Sequence, residues 1–171
     1  MAPALVSSCV RTLVVVPTAF TVTQGGVSLH AWEWPGGAPP VLLLHGIGNY
    51  GRYWDFVADE LGGAYRLVAS DARGHGDSGK PPSGYELDDF VRDAIAILDD
   101  RGIGRAVVVG HSMGGGHSVG LTVAHPDRVD ALLLVDVGPE VMPEGERQVR
   151  AERARREEHR PDPPVSYRGT T

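Results

Sequence analysis

The chain has 171 residues, room for one domain and not for two. Hydrophobic residues make up 42% and charged residues 22%, the composition of an ordinary globular protein. The formal net charge of −6 and a pI of about 5.6 exclude the basic footprint of a nucleic-acid binder, and the single cysteine, Cys9, excludes a disulfide framework. At the N-terminus the apolar run Leu13 to Val16 is cut by Pro17 and is too short to span a bilayer. A basic leader is nearly absent, with Arg11 placed late, so residues 1–18 read as an N-terminal extension and the expected location is cytoplasmic, with no membrane partner.

Short apolar runs then alternate with helix-like segments. Phe20 to Thr23 and Val27 to Trp34, separated by Gly25-Gly26, predict a hairpin. Val41 to Leu44 is a continuous apolar strand. Tyr53 to Leu61 has helical spacing, with Trp54, Val57 and Leu61 on one face. Arg66 to Ser70 reads as a strand. Leu87 to Leu98 predicts an amphipathic helix with Phe90, Val91, Ala94, Ile95 and Leu98 inward. Ala106 to Val109 is a strand, Met113 to Ala124 a helix and Ala131 to Val135 a fully apolar strand. Continuous apolar strands are buried on both faces, and strand–helix alternation gives a parallel sheet covered by helices. The expected fold is α/β: a mostly parallel, doubly wound sheet opening with an antiparallel hairpin. Glu144 to Arg160 is a charged segment of mixed sign, and residues 161–171 are rich in proline.

The sharpest motif is Gly110-His111-Ser112-Met113-Gly114, a G-x-S-x-G between a valine-rich strand and a helix. Nucleophilic catalysis needs that placement: a tight turn lifts the Ser112 hydroxyl off the carboxyl edge of the sheet, and the Met113 N–H at the helix start faces a developing oxyanion. Two rival motifs fail. Gly74 to Lys80 fits the phosphate-binding G-x-x-x-x-G-K, but Pro81 stands where the magnesium-ligating hydroxyl is required. Gly110, Gly114 and Gly116 fit a dinucleotide glycine pattern, but several strands precede them and such a turn follows the first strand.

His45-Gly46-Ile47-Gly48 ends the third strand, and Asp71-Ala72-Arg73-Gly74-His75-Gly76-Asp77-Ser78 ends the fourth. With these the sequence closely resembles the α/β-hydrolase family, whose three N-terminal signatures stand here as LLLHGIGNYGRYW, DARGHGDSG and VVVGHSMGG, in family order over roughly residues 20–140. The resemblance implies Ser112 as nucleophile and an oxyanion hole from the backbone N–H groups of Ile47 and Met113. It implies structural roles for His45, Gly46, Asp71, Gly74, Gly76, Gly110, His111 and Gly114, and packing of Trp54 beneath the first loop. Residues 19–140 would form the N-terminal part of the hydrolase core and residues 141–171 the start of a cap and a tail, the sheet being truncated after its sixth strand.

In this family an acid and then a histidine follow the nucleophile. Asp136, at the end of the sixth strand, occupies the place where some members carry the acid; otherwise it is a polar strand-end residue that caps a turn. No histidine is an evident base. His117 lies one turn into the helix after Ser112, His125 ends that helix, and His159 falls in the charged segment. The expected function is hydrolysis of an ester or related acyl bond in a small-molecule substrate. Kept beside it are an inactive fragment or non-catalytic binding protein on the same scaffold, a cofactor-free haloperoxidase-like or carbon–carbon bond hydrolase relative, and a partner chain supplying the missing histidine. A serine rather than an aspartate nucleophile disfavours epoxide hydrolase chemistry. No ligand cluster is visible along the chain, so no metal and no organic cofactor is expected.

Overall fold

The computed structural model describes residues 15–137. Residues 1–14 of the expected extension, the expected cap and tail over 141–171, and His159 lie outside the described residues. Val15, ahead of the first strand, packs against the core.

The strands are β1 (Thr18–Gln24), β2 (Val27–Trp34), β3 (Val41–Leu44), β4 (Leu67–Ser70), β5 (Ala106–His111) and β6 (Val129–Val135). The helices are α1 (Asp55–Leu61), α2 (Leu87–Asp100) and α3 (Met113–Ala124). They follow the sequence expectation closely. The segment expected as one helix from Tyr53 is divided into a 3-10 turn, Gly51–Trp54, followed by α1. Gly25 and Gly26 both take positive φ, 58° and 79°, which is what a two-residue turn demands when its twist must match the flanking strands.

The six strands form one sheet in the order β1-β2-β4-β3-β5-β6. β1 pairs with β2 and β2 with β4 antiparallel, while β4, β3, β5 and β6 run parallel. The pleat sorts side chains to the two faces. Leu42 and Leu44 of β3, Val68 of β4 and Ala106 and Val108 of β5 join Val91, Ala94, Ile97 and Leu98 of α2 and Leu121 of α3. Val41 and Leu43 of β3 and Leu67 and Ala69 of β4 point the other way, to Trp32, Trp34, Trp54 and Ala58, with Val57 and Leu61 of α1 packed against them. Helices therefore cover both faces of the central strands, and β3 and β4 are buried along their whole length.

Among the described residues β6 is the last strand of the sheet, and although its apolar run reads as a strand buried on both faces, Leu133, Leu134 and Val135 are 50%, 45% and 45% exposed. No helix among the described residues is long and apolar enough to cross a membrane.

The contrast between centre and edge is measurable. Leu42→Ala, at a fully buried position, should destabilise the fold by ~2–5 kcal/mol, whereas Leu133→Ala should cost under about 1 kcal/mol, both read from urea unfolding.

Candidate active site

The chain leaves β3 for β4 on one side and then crosses to β5 on the other. The direction of winding reverses between β3 and β5, and in open parallel sheets ligands bind outside the carboxyl ends of the strands at such a switch point. Leu44, the last residue of β3, pairs with Gly110 of β5. The segment starting at His45 and the turn at Ser112 thus leave the sheet side by side.

Ser112 joins β5 to α3 with φ 50° and ψ −115°, a left-handed backbone in a residue that carries a Cβ. Such strain persists only where the surroundings impose it. The Ser112 N–H donates to Val135 O at 3.0 Å, and the Ser112 carbonyl accepts from Gly115 N at 2.9 Å and Gly116 N at 3.3 Å. Two glycines leave the turn no other course. A side chain at Gly110 would run into the Gly114 carbonyl and Ser118 Oγ. One at Gly114 would run into the Leu44 carbonyl and come within 2.7 Å of His45 O. The first turn of α3 therefore sits directly against the carboxyl end of β3. Ser112 is half-buried, and among the described residues its hydroxyl has no hydrogen-bond partner.

The segment after β3 closes over this turn. A Cβ on Gly46 would lie 2.9 Å from His111 Nδ1 and 3.3 Å from Ser112 Cβ, so only glycine allows the approach. A tight turn follows, with Asn49 N donating to Gly46 O at 3.1 Å. Ile47 lies in that turn, and Met113 is the first residue of α3, whose N–H has no preceding helical carbonyl to pair with. His45 is buried, and both its ring nitrogens are engaged. Nε2 accepts from Ala72 N at 2.9 Å, which leaves the proton on Nδ1 to be donated to Gly46 O at 2.8 Å. Burial lowers its pKa, so the ring is neutral and ties the β3 loop to the β4 loop. The same engagement excludes it as a base.

The loop after β4 is held by polar groups. Asp71 is 1% exposed; its Oδ1 accepts from Gly51 N at 2.6 Å and its Oδ2 from Asp77 N at 2.7 Å. Gly76, at φ 48°, lies so close to that carboxylate that a Cβ would collide with it. Gly74 lies under the Tyr85 ring at φ 81°. Ser78 Oγ donates to Asp71 O and accepts from His30 N. Lys80, the lysine of the rejected phosphate motif, donates to the Gly76 and Ser78 carbonyls of its own loop.

Arg73 is 4% exposed and meets Asp93 of α2 in a two-pronged pair, Nε to Oδ2 at 2.7 Å and Nη2 to Oδ1 at 2.6 Å, with Nη1 donating to Gly84 O. Burial pushes the Asp93 carboxyl up and the guanidinium pulls it back down. Sequence reasoning missed this pair. Its signal was an acid inside the apolar stripe of the helix, at a position where a solvated charge has no place. Phe90, expected in the core, is half-buried and stacks instead on His117, with ring centroids 3.9 Å apart, and under Arg73 at 5.9 Å.

His117 therefore packs against α2, and burial lowers its pKa to about 4. His125 caps the end of α3. His111 stacks on Tyr53, an aromatic also missed, at 5.5 Å and 10°. Its Nε2 stands 3.9 Å from Asp136 Oδ2, and its buried Nδ1 has no partner among the described residues. Asp136 is 87% exposed at its side chain and takes φ 53°. It and Ser112 are the two non-glycine residues with positive φ among the described ones. The structure thus brings together His45, Gly46, Gly110, His111, Ser112, Met113, Gly114 and Asp136, while His117 stacks on Phe90 and His125 ends α3.

The alpha/beta hydrolase fold family model matches residues 39–158. Lipase LipV of Mycobacterium tuberculosis is 38% identical over 122 residues, 71% of this chain and 45% of the lipase. A solved alpha/beta hydrolase from Novosphingobium aromaticivorans superposes with a TM-score of 0.71 at 36% identity, over 81% of this chain and 50% of that one. An epoxide hydrolase from Vigna radiata gives 0.67 at 32% identity, over 81% and 46%. The chain spans half or less of the length of each.

The two buried networks make separate predictions. Asp93→Ala removes the two-pronged partner of buried Arg73, leaving it Asp89 at 3.6 Å and the Gly84 carbonyl, and should cost ~1–3 kcal/mol of unfolding free energy in urea titration. Because folding depresses the His117 pKa, the unfolded chain binds the extra proton. Stability is therefore full above pH 6.5 and is lost as pH falls toward about 4, by about 3 kcal/mol. His117→Phe keeps the stack and should remove most of that acid-side slope, His45 contributing a remainder of the same sign.

Proposed function

The chain belongs to the alpha/beta hydrolase fold family, and on that premise we propose that it carries the nucleophile and oxyanion hole of a serine hydrolase acting on an ester or related acyl bond of a small molecule. The observation that carries the reading is the strained Ser112, held at φ 50° between glycine-only contacts at the switch point of the sheet. In this reading the Ser112 hydroxyl attacks the acyl carbon and passes its proton to a base. The Ile47 and Met113 N–H groups hold the oxyanion, the loss of one such donor being worth ~10²–10³ in rate. Collapse of the intermediate expels the alcohol and leaves an acyl-Ser112 ester, which water then cleaves. In this reading Asp136, just after β6, would be the acid that orients the base.

A serine nucleophile also favours one of the chemistries named among the relatives. Attack by a hydroxyl on an epoxide carbon would leave an ether that water does not cleave, whereas attack on an acyl carbon leaves an ester that water does. The lipase name fits Ser112 better than the epoxide hydrolase name.

One observation favours a second reading, an inactive or purely binding scaffold. Among the described residues no histidine meets the Ser112 hydroxyl, and without a base only residual catalysis from binding and oxyanion stabilisation is expected.

A fluorophosphonate probe, run beside p-nitrophenyl acetate hydrolysis, separates the two. The first reading expects labelling and turnover that both vanish in Ser112→Ala. Equal behaviour of the chain and the variant would establish the second.

A further inference from the structure

His30 of β2 is remote in sequence from Asp71 and Asp77, which belong to one loop, yet one ligand atom from each of the three lies within 4.8 Å of the other two. We propose that they form a binding site for a divalent transition-metal ion, zinc first among them, which ties β2 to the loop after β4. This site is independent of Ser112 and of the hydrolase reading.

Three features of the cluster point to a cation. The first is the orphan imidazole nitrogen. His30 Nδ1 is wholly buried and is one of three buried side-chain polar atoms without a partner among the described residues. Buried polar atoms ordinarily find a partner. The ring cannot turn freely toward one, because it lies edge-on to Trp32 at 4.4 Å.

The second is uncompensated charge. Asp71 is buried and pairs with no lysine or arginine among the described residues; Lys80, in the same loop, spends its ammonium on the Gly76 and Ser78 carbonyls. The backbone N–H groups of Gly51 and Asp77 occupy one acceptor position on each Asp71 oxygen and leave the second open. Asp77 adds a second carboxylate 4.0 Å from His30 Nδ1.

The third is geometry. Ligand atoms of a four-coordinate zinc stand about 3.4 Å apart at bond lengths of ~2.0–2.2 Å. The cluster is wider by an ångström or so, and Asp77, whose side chain is 82% exposed, is free to swing inward and close it. One nitrogen and two carboxylate oxygens suit zinc, with water in the fourth place, better than magnesium or calcium, which prefer all-oxygen shells. The backbone around the site is already fixed, since His30 N donates to Ser78 Oγ and Asp71 N to His30 O.

Isothermal titration of zinc into the full chain, stripped beforehand with a chelator, tests the site. One ion per chain should bind, with affinity at least about tenfold weaker in each of His30→Gln and Asp77→Asn. Zinc should raise the melting temperature of the chain but not that of the variants. No saturable binding, or binding indifferent to both substitutions, would overturn the proposal. Should either variant lose its fold by circular dichroism, NMR of the unsubstituted chain decides. The His30 ring resonances shift on adding zinc if the site exists, and stay in place if the ion is held elsewhere.

Discussion

Everything at the carboxyl edge of this sheet follows from one steric constraint: the first turn of α3 has no space between itself and the end of β3. Gly110 and Gly114 are the contact points, and any Cβ there meets backbone. Because the helix begins so close to the strand, Ser112 is forced to φ 50° and stands up from the edge instead of lying in it. The strain is local, and it is held by burial of the sheet beneath it, where β3, β4 and β5 carry apolar side chains to helices on both faces.

Around this point the loops are held by polar anchors. His45 bridges the segments after β3 and β4 through both ring nitrogens, and Asp71 gathers two backbone N–H groups from different loops. Arg73 and Asp93 fasten the β4 loop to α2. A buried ion pair stabilises little against an apolar alternative, but leaving either partner alone is costly, so such a pair favours one arrangement of the loop over its competitors. The loop that carries Gly74, His75 and Gly76 is thereby fixed relative to the Ser112 turn. The same loop brings Asp71 and Asp77 near His30, whose backbone N–H ties strand β2 to the loop through Ser78 Oγ.

Much of this was legible along the chain. The alternation of apolar runs with amphipathic segments gave the strands and helices within a residue or two, because burial on both faces leaves no other pattern for β3 and β4. The glycines of the Ser112 turn were legible for the same kind of reason, since the spacing of small residues around a serine is a local demand of backbone geometry. The Asp93 partner of Arg73, the Tyr53 stack on His111 and the Phe90 stack on His117 were not legible. Each joins residues from different elements, and only the packing of those elements decides which side chains meet.

The sequence by itself determined the order of elements, the two-faced burial of the central strands and the position of the strained serine, all of which rest on periodicity and on sterics within a few residues. The tertiary structure alone decided which polar groups became partners. It consumed both nitrogens of His45, turned His117 into an aromatic packing surface, placed Asp136 beside His111, and brought His30 of β2 near Asp71 and Asp77 of the loop after β4. Long-range pairing of charge depends on distances in space, which a linear order of residues does not contain.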